Sequence, residues 1–243
     1  MADSHRIIKR QSNSNKSNHC IYKDRRGNAA VFIVRMTKMC HNVQDMNKKE
    51  LRKQILAERR ALDEETVALA SQVVCRKVLG IDAYEEAEDV CLYMPIRNEI
   101  DAMLLAEAAL EDGKRVWVPK VIEKHSGAKG TDDQSKGGAG VMRFNAYTGE
   151  DDIVTGTYDI RESTSEEFLE PTDKTLIIMP GAVFTPWRDR IGYGGGFYDR
   201  FLDEHPQCRT IALCFDLQVV DEIPTEEFDR KPDYVVSETS IYR

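Results

Sequence analysis

Between Arg190 and Asp199 the chain reads RIGYGGGFYD, with three successive glycines held between an arginine, two aromatics and an aspartate. Each glycine costs roughly 0.5–1 kcal/mol in a helix or strand interior relative to alanine. Gly194, Gly195 and Gly196 therefore mark a loop whose backbone takes unusual angles or is closely approached. Gly196 leads into a helical pattern in which Phe197 and Phe201, and Tyr198 and Leu202, can pack inward at i,i+4. Such a loop brings backbone N–H groups and the positive end of a helix to one spot, which suits a phosphate. Arg190 stands beside it. Asp199, in the first turn, can stabilise the helix end or hold a Mg²⁺ ion that bridges phosphate oxygens. Tyr193 and Phe197 could stack on a planar ligand. The spacing is neither the dinucleotide fingerprint nor a P-loop, so an ordinary tight turn stays open as the alternative.

Three further clusters could join it. In NKKELRKQ, the cations Lys48, Lys49, Arg52 and Lys53 crowd the first turns of a predicted helix, where they oppose its dipole. Lys48 and Arg52 share a face at i,i+4. They are either a solvated basic face or a pair aimed at an anion across the fold. In YMPIRNEID, Glu99 lies just past the carboxyl end of a predicted strand, where it can cap a helix starting at Asp101 or accept hydrogen bonds from an N–H-rich heterocycle. In FDRKPDYVVSE, Asp229 and Asp233 precede the last strand, with solvent-facing loop carboxylates as the default reading. The five histidines fall in polar stretches without metal or triad spacing, and no nucleophile stands out. The six cysteines include no CxxC pair. They read as reduced, with Cys91 and Cys214 inside apolar strands, and the expected setting is cytoplasmic.

The elements that must position these residues are legible in the periodicity. Apolar stripes run from Asn47 to about Gly80, broken near LDEET, where Asp63 can cap a second helix. Short apolar runs then alternate with helical ones: DVCLYM, KRVWVPK, VMRFNAY, TLIIMPG, TIALCF and DYVVSE as strands, IDAMLLAEAALEDG and FYDRFLDEH as helices. SGAKGTDDQSKGGAG is a long polar loop. The pattern predicts an α/β fold, a doubly wound, mostly parallel sheet in an α/β/α three-layer sandwich. Ligands of such sheets bind at the carboxyl ends of the strands.

Residues 1–46 differ in kind: they carry nine Lys/Arg against three Asp/Glu, whereas residues 47–243 carry 25 against 39. KRQSNSNKSNHC is too polar to fold alone, and AAVFIVRM is a brief apolar run, a possible strand or weak targeting signal. The first 46 residues are expected to be a poorly structured extension, with Met46 a natural start, followed by one domain over 47–243. The acidic body argues against nucleic acid as a partner, and no apolar run reaches membrane-span length.

The stretch IIMPGAVFTPWRDRIGYGGGFYDRFL resembles the signature of the 5-formyltetrahydrofolate cyclo-ligase family, and KKELRKQIL, YMPIRNEID and DRKPDYVVSE follow in matching order. That resemblance implies ATP-dependent closure of 5-formyltetrahydrofolate to 5,10-methenyltetrahydrofolate. The formyl oxygen takes the γ-phosphoryl of Mg-ATP, and the folate N10 then displaces phosphate. Phosphoryl transfer of this kind needs alignment and charge neutralisation more than a protein nucleophile. By motif position, Lys48, Lys49, Glu50, Leu51 and Arg52 would bind ATP together with Arg190, Ile191, Gly192, Tyr193, Gly194, Gly195, Gly196, Phe197 and Tyr198. Arg190 and Tyr198 would be catalytic. Met94, Glu99 and Tyr193 to Phe197 would contact the folate, Asp199 and Asp233 would hold Mg²⁺, and the enzyme would act as a monomer. One departure stands out: where the family reads FD-x-x-G-x-R the chain has FTPWRDR, with Thr185 for the aspartate and Asp189 for the glycine. Rival readings are a sugar-phosphate isomerase or transferase, which needs no ATP, and a silent folate- or nucleotide-binding module.

Overall fold

The computed structural model describes residues 18–23, 29–34, 46–122, 140–155, 161–226 and 229–243. The polar stretch before Asn18 and residues 126–139 of the expected polar loop lie outside that set. Two compact units, Met1–His41 and Asn42–Arg243, divide the chain. In the first, β1 (Asn18–Lys23) pairs antiparallel with β2 (Ala29–Val34), so part of the AAVFIVRM run is a strand.

The second unit opens with α1 (Lys48–Arg60), whose first turn is closed by a capping box between Asn47 and Glu50. Asp63 caps α2 (Glu64–Val78) as expected, through the Thr66 N–H. A short α3 (Asp82–Glu85) leads to β3 (Asp89–Cys91). Then come α4 (Leu104–Glu111), ended near Gly113 at φ 74°, and the antiparallel pair β4 (Arg115–Ile122) and β5 (Val141–Ala146). A side hairpin of β6 (Ile153–Thr155) and β7 (Arg161–Ser163) precedes β8 (Thr175–Met179). After a second small hairpin, β9 (Val183–Phe184) and β10 (Arg190–Ile191), come α5 (Phe197–Glu204), β11 (Arg209–Leu213), β12 (Tyr234–Val236) and β13 (Ile241–Tyr242).

The main sheet has seven strands in the order β13-β12-β11-β8-β3-β4-β5, parallel throughout except at its two edge strands. Its period-2 alternation sends side chains to two cores. Val90, Val116, Leu176, Ile178, Ile211 and Val236 pack with the buried faces of α2 and α4. Cys91, Trp117, Ile177, Met179, Ala212 and Val235 pack with Phe201 and Leu202 of α5. Helices thus cover both faces, the three-layer α/β arrangement that the strand and helix alternation predicts. A third cluster seats α1: Leu51 and Ile55 are buried against Val183, Ile191 and Val220, which moors this helix to the β9–β10 hairpin.

Candidate active site

From β3 the chain crosses to β4 on one side, and from β8 to β11 on the other. The neighbouring pair β3 and β8 is therefore the point where the winding reverses, and its carboxyl ends open the crevice in which such sheets bind ligands. The segment after β3 carries Glu99, the segment after β8 carries the glycine-rich loop, and α1 lies alongside, moored by its apolar stripe.

One end of this site gathers arginines around the glycine-rich loop. Gly194 and Gly196 take φ values of 98° and 62°, the left-handed region that favours glycine. Gly196 is the N-cap of α5 and offers no side-chain cap, so the first N–H groups of that helix have no capping partner of the kind that Asn47 and Asp63 give α1 and α2. Arg52 reaches across from α1 and donates from Nε to the Gly192 carbonyl at 2.8 Å. A β-carbon on Gly194 would lie 3.6 Å from its guanidinium. Arg190 is buried and pairs with Asp199 at 2.6 Å, while its Nε has no acceptor. A solvated basic face would not carry Arg52 into such a contact. Arg52 thus lies against the loop, while Lys49 and Lys53 of the same helix remain exposed.

The other end is built around a buried carboxylate. Glu99 is 6% exposed. Its Oε2 accepts the Ile96 N–H at 2.9 Å and its Oε1 accepts the Tyr193 hydroxyl. Arg59, 1% exposed, donates to the same hydroxyl at 2.6 Å and stands 3.7 Å from Glu99. Burial pushes the Glu99 carboxyl above its usual range, against the opposing pull of Tyr193 and Arg59. Burial, then the Glu99 charge, likewise raises the phenols of Tyr193 and Tyr198, so both remain protonated donors. Arg59 escaped the sequence reading, although it was findable. It continues the Leu51–Ile55 spacing by another four residues, so it had to fall on the buried stripe.

Other expected residues sit elsewhere or act differently. Leu51 and Ile191 are core residues, and Met94 is buried in the core over β3. Glu50 spends its carboxylate on the Asn47 N–H, and the backbone N–H groups of Lys49 and Glu50 on Asn47. The Lys49 side chain is exposed. Neither Lys49 nor Glu50 brings its side chain to the loop, and Leu51 meets it only by packing with Ile191. Lys48 meets carboxylates instead of open space: Glu226 and Asp229, both at 2.6 Å. Burial works against its ammonium, but those two carboxylates outweigh it and raise its pKa. Gly195 lacks the left-handed angle of its neighbours. A β-carbon there would come within 2.9 Å of the Phe197 ring, so packing is what requires glycine.

The pairing of Asp199 with Asp233 needs correction. The Asp233 carboxylate accepts the Thr210 N–H at 2.8 Å and its hydroxyl at 3.0 Å, at the starting end of β11, away from the carboxyl edge. Asp199 instead accepts the Arg230 N–H at 3.4 Å, and the preceding Asp229 pairs with Lys48. The reading of FTPWRDR also shifts by one residue. The left-handed position in this turn is Arg188, φ 67°, so Arg188 and not Asp189 stands where the family glycine belongs. Such an angle costs a non-glycine residue about 1 kcal/mol or more. The surroundings hold it: Arg188 donates to the carbonyls of Asp233 at 3.2 Å and Pro232 at 3.4 Å, and Asp189 pairs with Lys231 at 2.6 Å. Thr185 takes over the turn's capping, accepting from the N–H groups of Trp187 and Asp189. Arg190 keeps its place in the site.

Among the described residues no group of three or more His, Cys, Asp or Glu side chains could hold a metal unaided. Mg²⁺ that arrives on phosphates needs only one or two carboxylates, and Asp199 and Asp229, paired with Arg190 and Lys48, are carboxylates of the kind it takes.

The profile of the 5-formyltetrahydrofolate cyclo-ligase family matches residues 44–238. The chain is 27% identical over 188 residues to the 5-formyltetrahydrofolate cyclo-ligase of Escherichia coli, covering 76% of this chain and 96% of the relative. It is 25% identical to that of Mus musculus, over 79% and 94%. Its fold matches the 5,10-methenyltetrahydrofolate synthetase of Aquifex aeolicus with a TM-score of 0.67 at 26% identity, over 82% of this chain and 93% of the other.

Proposed function

The chain belongs to the 5-formyltetrahydrofolate cyclo-ligase family, and we propose how its residues perform the family reaction, the ATP-dependent conversion of 5-formyltetrahydrofolate to 5,10-methenyltetrahydrofolate. One observation carries the assignment of roles. A single loop, Arg190 to Phe197, joins an anion-binding end to a buried carboxylate end, and Tyr193 is the hinge between them. The reaction needs the same union: a polyphosphate and an N–H-rich reduced pterin brought into line.

Arg52, Arg190 and the uncapped start of α5 hold the ATP phosphates, with Lys48 joining them once phosphate oxygens replace Glu226 and Asp229 around its ammonium. Their positive charges lie where negative charge spreads over the transferring phosphoryl group, which is the dominant demand of this chemistry. Glu99 accepts hydrogen bonds from pterin N–H groups. Tyr193 and Phe197 supply aromatic surface beside it. Tyr198 keeps its proton and lies under the influence of both Glu99 and Arg190, between the two ends. Mg²⁺, when bound with ATP, neutralises and aligns the phosphates, and Asp199 and Asp229 would hold it. In this reading the enzyme works as a monomer. Cys75, Cys91, Cys208 and Cys214 are free and buried, which supports a reducing, cytosolic setting. Among the described residues no helix is long and apolar enough to cross a membrane. Residues 47–243 make the whole catalytic unit in this proposal, so a chain starting at Met46 should keep its turnover and melting temperature.

The test mixes the purified protein with Mg-ATP and 5-formyltetrahydrofolate and follows methenyl absorbance in the near ultraviolet. ATP-dependent growth of that band supports the assignment. A protein that binds both ligands with no such signal would be the silent module.

A further inference from the structure

We propose that Arg59 is a positioning residue for the reaction: through the Tyr193 hydroxyl and by its own charge, it keeps Glu99 ionised and aimed at the N–H donors of the folate heterocycle. The inference rests on the reading that Glu99 faces the folate.

The proton bookkeeping leaves one arrangement. A guanidinium donates hydrogen bonds and accepts none. Where Arg59 Nη1 donates to the Tyr193 oxygen at 2.6 Å, the phenol's only proton must go to Glu99 Oε1. The remaining Glu99 oxygen is fixed by the Ile96 N–H. The carboxylate is thereby locked in plane, and its other lone pairs are left for a ligand. Arg59 lies nearly out of water, its guanidinium 5.7 Å from the Tyr193 ring centroid, and its Nε has no acceptor at all. Backbone carbonyls hold Arg52, through Gly192 at 2.8 Å, and Lys77, through Ser237 and Glu238 at 2.8 Å. Arg59 forgoes such partners and faces a phenol and a carboxylate.

The groups around Glu99 single Arg59 out as its counter-charge. From its own segment come Tyr93 and the exposed Arg97, from the glycine-rich loop Tyr193, from α5 Tyr198, and from α1 Arg59. The three phenols carry no charge at neutral pH, and Arg97 is screened by solvent. Arg59 is the buried cation of the set. Without it, a carboxyl this buried takes up a proton at higher pH. A protonated Glu99 offers the pterin a donor where an acceptor is needed.

The experiment records kcat/KM for 5-formyltetrahydrofolate against pH at saturating Mg-ATP, for the wild type, Arg59→Lys, Arg59→Met and Tyr193→Phe. The acidic limb should move to higher pH by about one unit or more in Arg59→Met, a tenfold change in the protonation equilibrium. Arg59→Lys should bring it back toward the wild type, and the KM for ATP should stay within about twofold, since the phosphate end is untouched. A folded Arg59→Met protein whose limb overlies the wild type overturns the proposal. Should Arg59→Met fail to fold, Tyr193→Phe carries the test, because it cuts the relay and must shift the limb the same way; an unmoved limb there overturns it equally. Calorimetric folate binding by Glu99→Gln separates the two ideas. Unchanged affinity removes the reading that Glu99 meets folate. Lost affinity with an unmoved Arg59→Met limb removes only the role of Arg59.

Discussion

Glu99 and Glu238 leave the carboxyl edge of the same sheet almost equally buried, at 6% and 5% exposure, one after β3 and the other after β12. Burial raises both acids. Their neighbours differ in sign. Glu99 has the Arg59 guanidinium 3.7 Å away and a phenol donating to it. Glu238 has the Asp216 charge beside it, takes the Asp216 N–H at 2.6 Å, and is pushed to about 8 by burial first and Asp216 second. Lys77, bonded to backbone carbonyls nearby, pulls the other way but does not offset burial and Asp216. The same desolvation therefore has two outcomes. Where the winding reverses and the sheet opens, a counter-charge keeps the carboxylate available; two strands further out, the acid holds its proton and serves the packing.

The largest effect that could break this contrast comes from replacing each acid by its amide without changing size. Glu99→Gln should lower kcat/KM for 5-formyltetrahydrofolate on the order of 10- to 100-fold, the worth of one charge-assisted hydrogen bond. Its affinity for ATP should change little. Glu238→Gln should leave kcat/KM within about twofold. Steady-state kinetics of the two variants side by side decide it, and equal losses would erase the distinction. A somewhat smaller effect on folate, but a severe one on ATP, is expected from Gly195→Val. Its side chain must displace the Phe197 ring at the start of α5, and so disturb the anion-binding end while Glu99 and Arg59 keep their contacts. ATP turnover should fall on the order of 10-fold or more with a smaller loss of melting temperature, because Phe197 is only partly buried at the edge of the α5-side core. A variant that turns over ATP normally would make these glycines a mere turn.

Much of this contrast could be foreseen from sequence, and the rest fails for identifiable reasons. The glycine-rich loop, Arg190, Arg52 and Glu99 were legible because their types break a local rule: glycines in a row, cations at a helix start, a carboxylate at a strand's end. Six of the seven strands of the main sheet were legible as short runs rich in apolar residues, whereas the two-residue edge strand β13 was not read. Arg59 was not read, since an arginine in a basic helix looks solvated unless its phase with Leu51 and Ile55 is followed one turn further. Asp233 and Asp229 could not be told apart, because the choice depends on Thr210, which lies 23 residues from Asp233 and meets it through the parallel pairing of β11 and β12. The shift at Arg188 needed no structure, since FD-x-x-G-x-R laid on FTPWRDR already sets the family glycine against Arg188. Its left-handed angle is held by carbonyls of a distant segment. Partners remote in sequence are what periodicity does not encode.

That same pair of aspartates sharpens the contrast between an edge used for chemistry and one used for structure. Asp199→Asn and Asp229→Asn should each reduce turnover several-fold at low Mg²⁺, with partial recovery as Mg²⁺ is raised, since each forfeits one ionic oxygen for the metal. Asp233→Ala should keep turnover and Mg²⁺ dependence but cost about 1–2 kcal/mol of stability, because the buried Thr210 N–H loses its acceptor. Mg²⁺ titrations of activity together with urea unfolding distinguish the two behaviours. A metal-dependent defect in Asp233→Ala would return that residue to the site.

The subtlest consequence concerns the proton that Glu238 holds. In the unfolded chain this carboxyl ionises near the ordinary glutamate value of about 4.3. In the fold, burial and then Asp216 hold it up to about 8. Between those values the native state binds the proton and the unfolded state does not, so stability falls as pH rises through the window. Below it both states are protonated and the contribution is fully present; above about 8 it has gone. Glu238→Gln cannot titrate, so its urea midpoint should fall less steeply than that of the wild type from pH 5 to 8. Arg59→Met should do the reverse by raising Glu99 further, adding a second group whose proton the fold retains. The two variants thus tilt the stability profile in opposite directions. Parallel profiles for Glu238→Gln and the wild type would mean that Glu238 is ionised in the fold, and the two edge carboxylates would then be alike in charge after all.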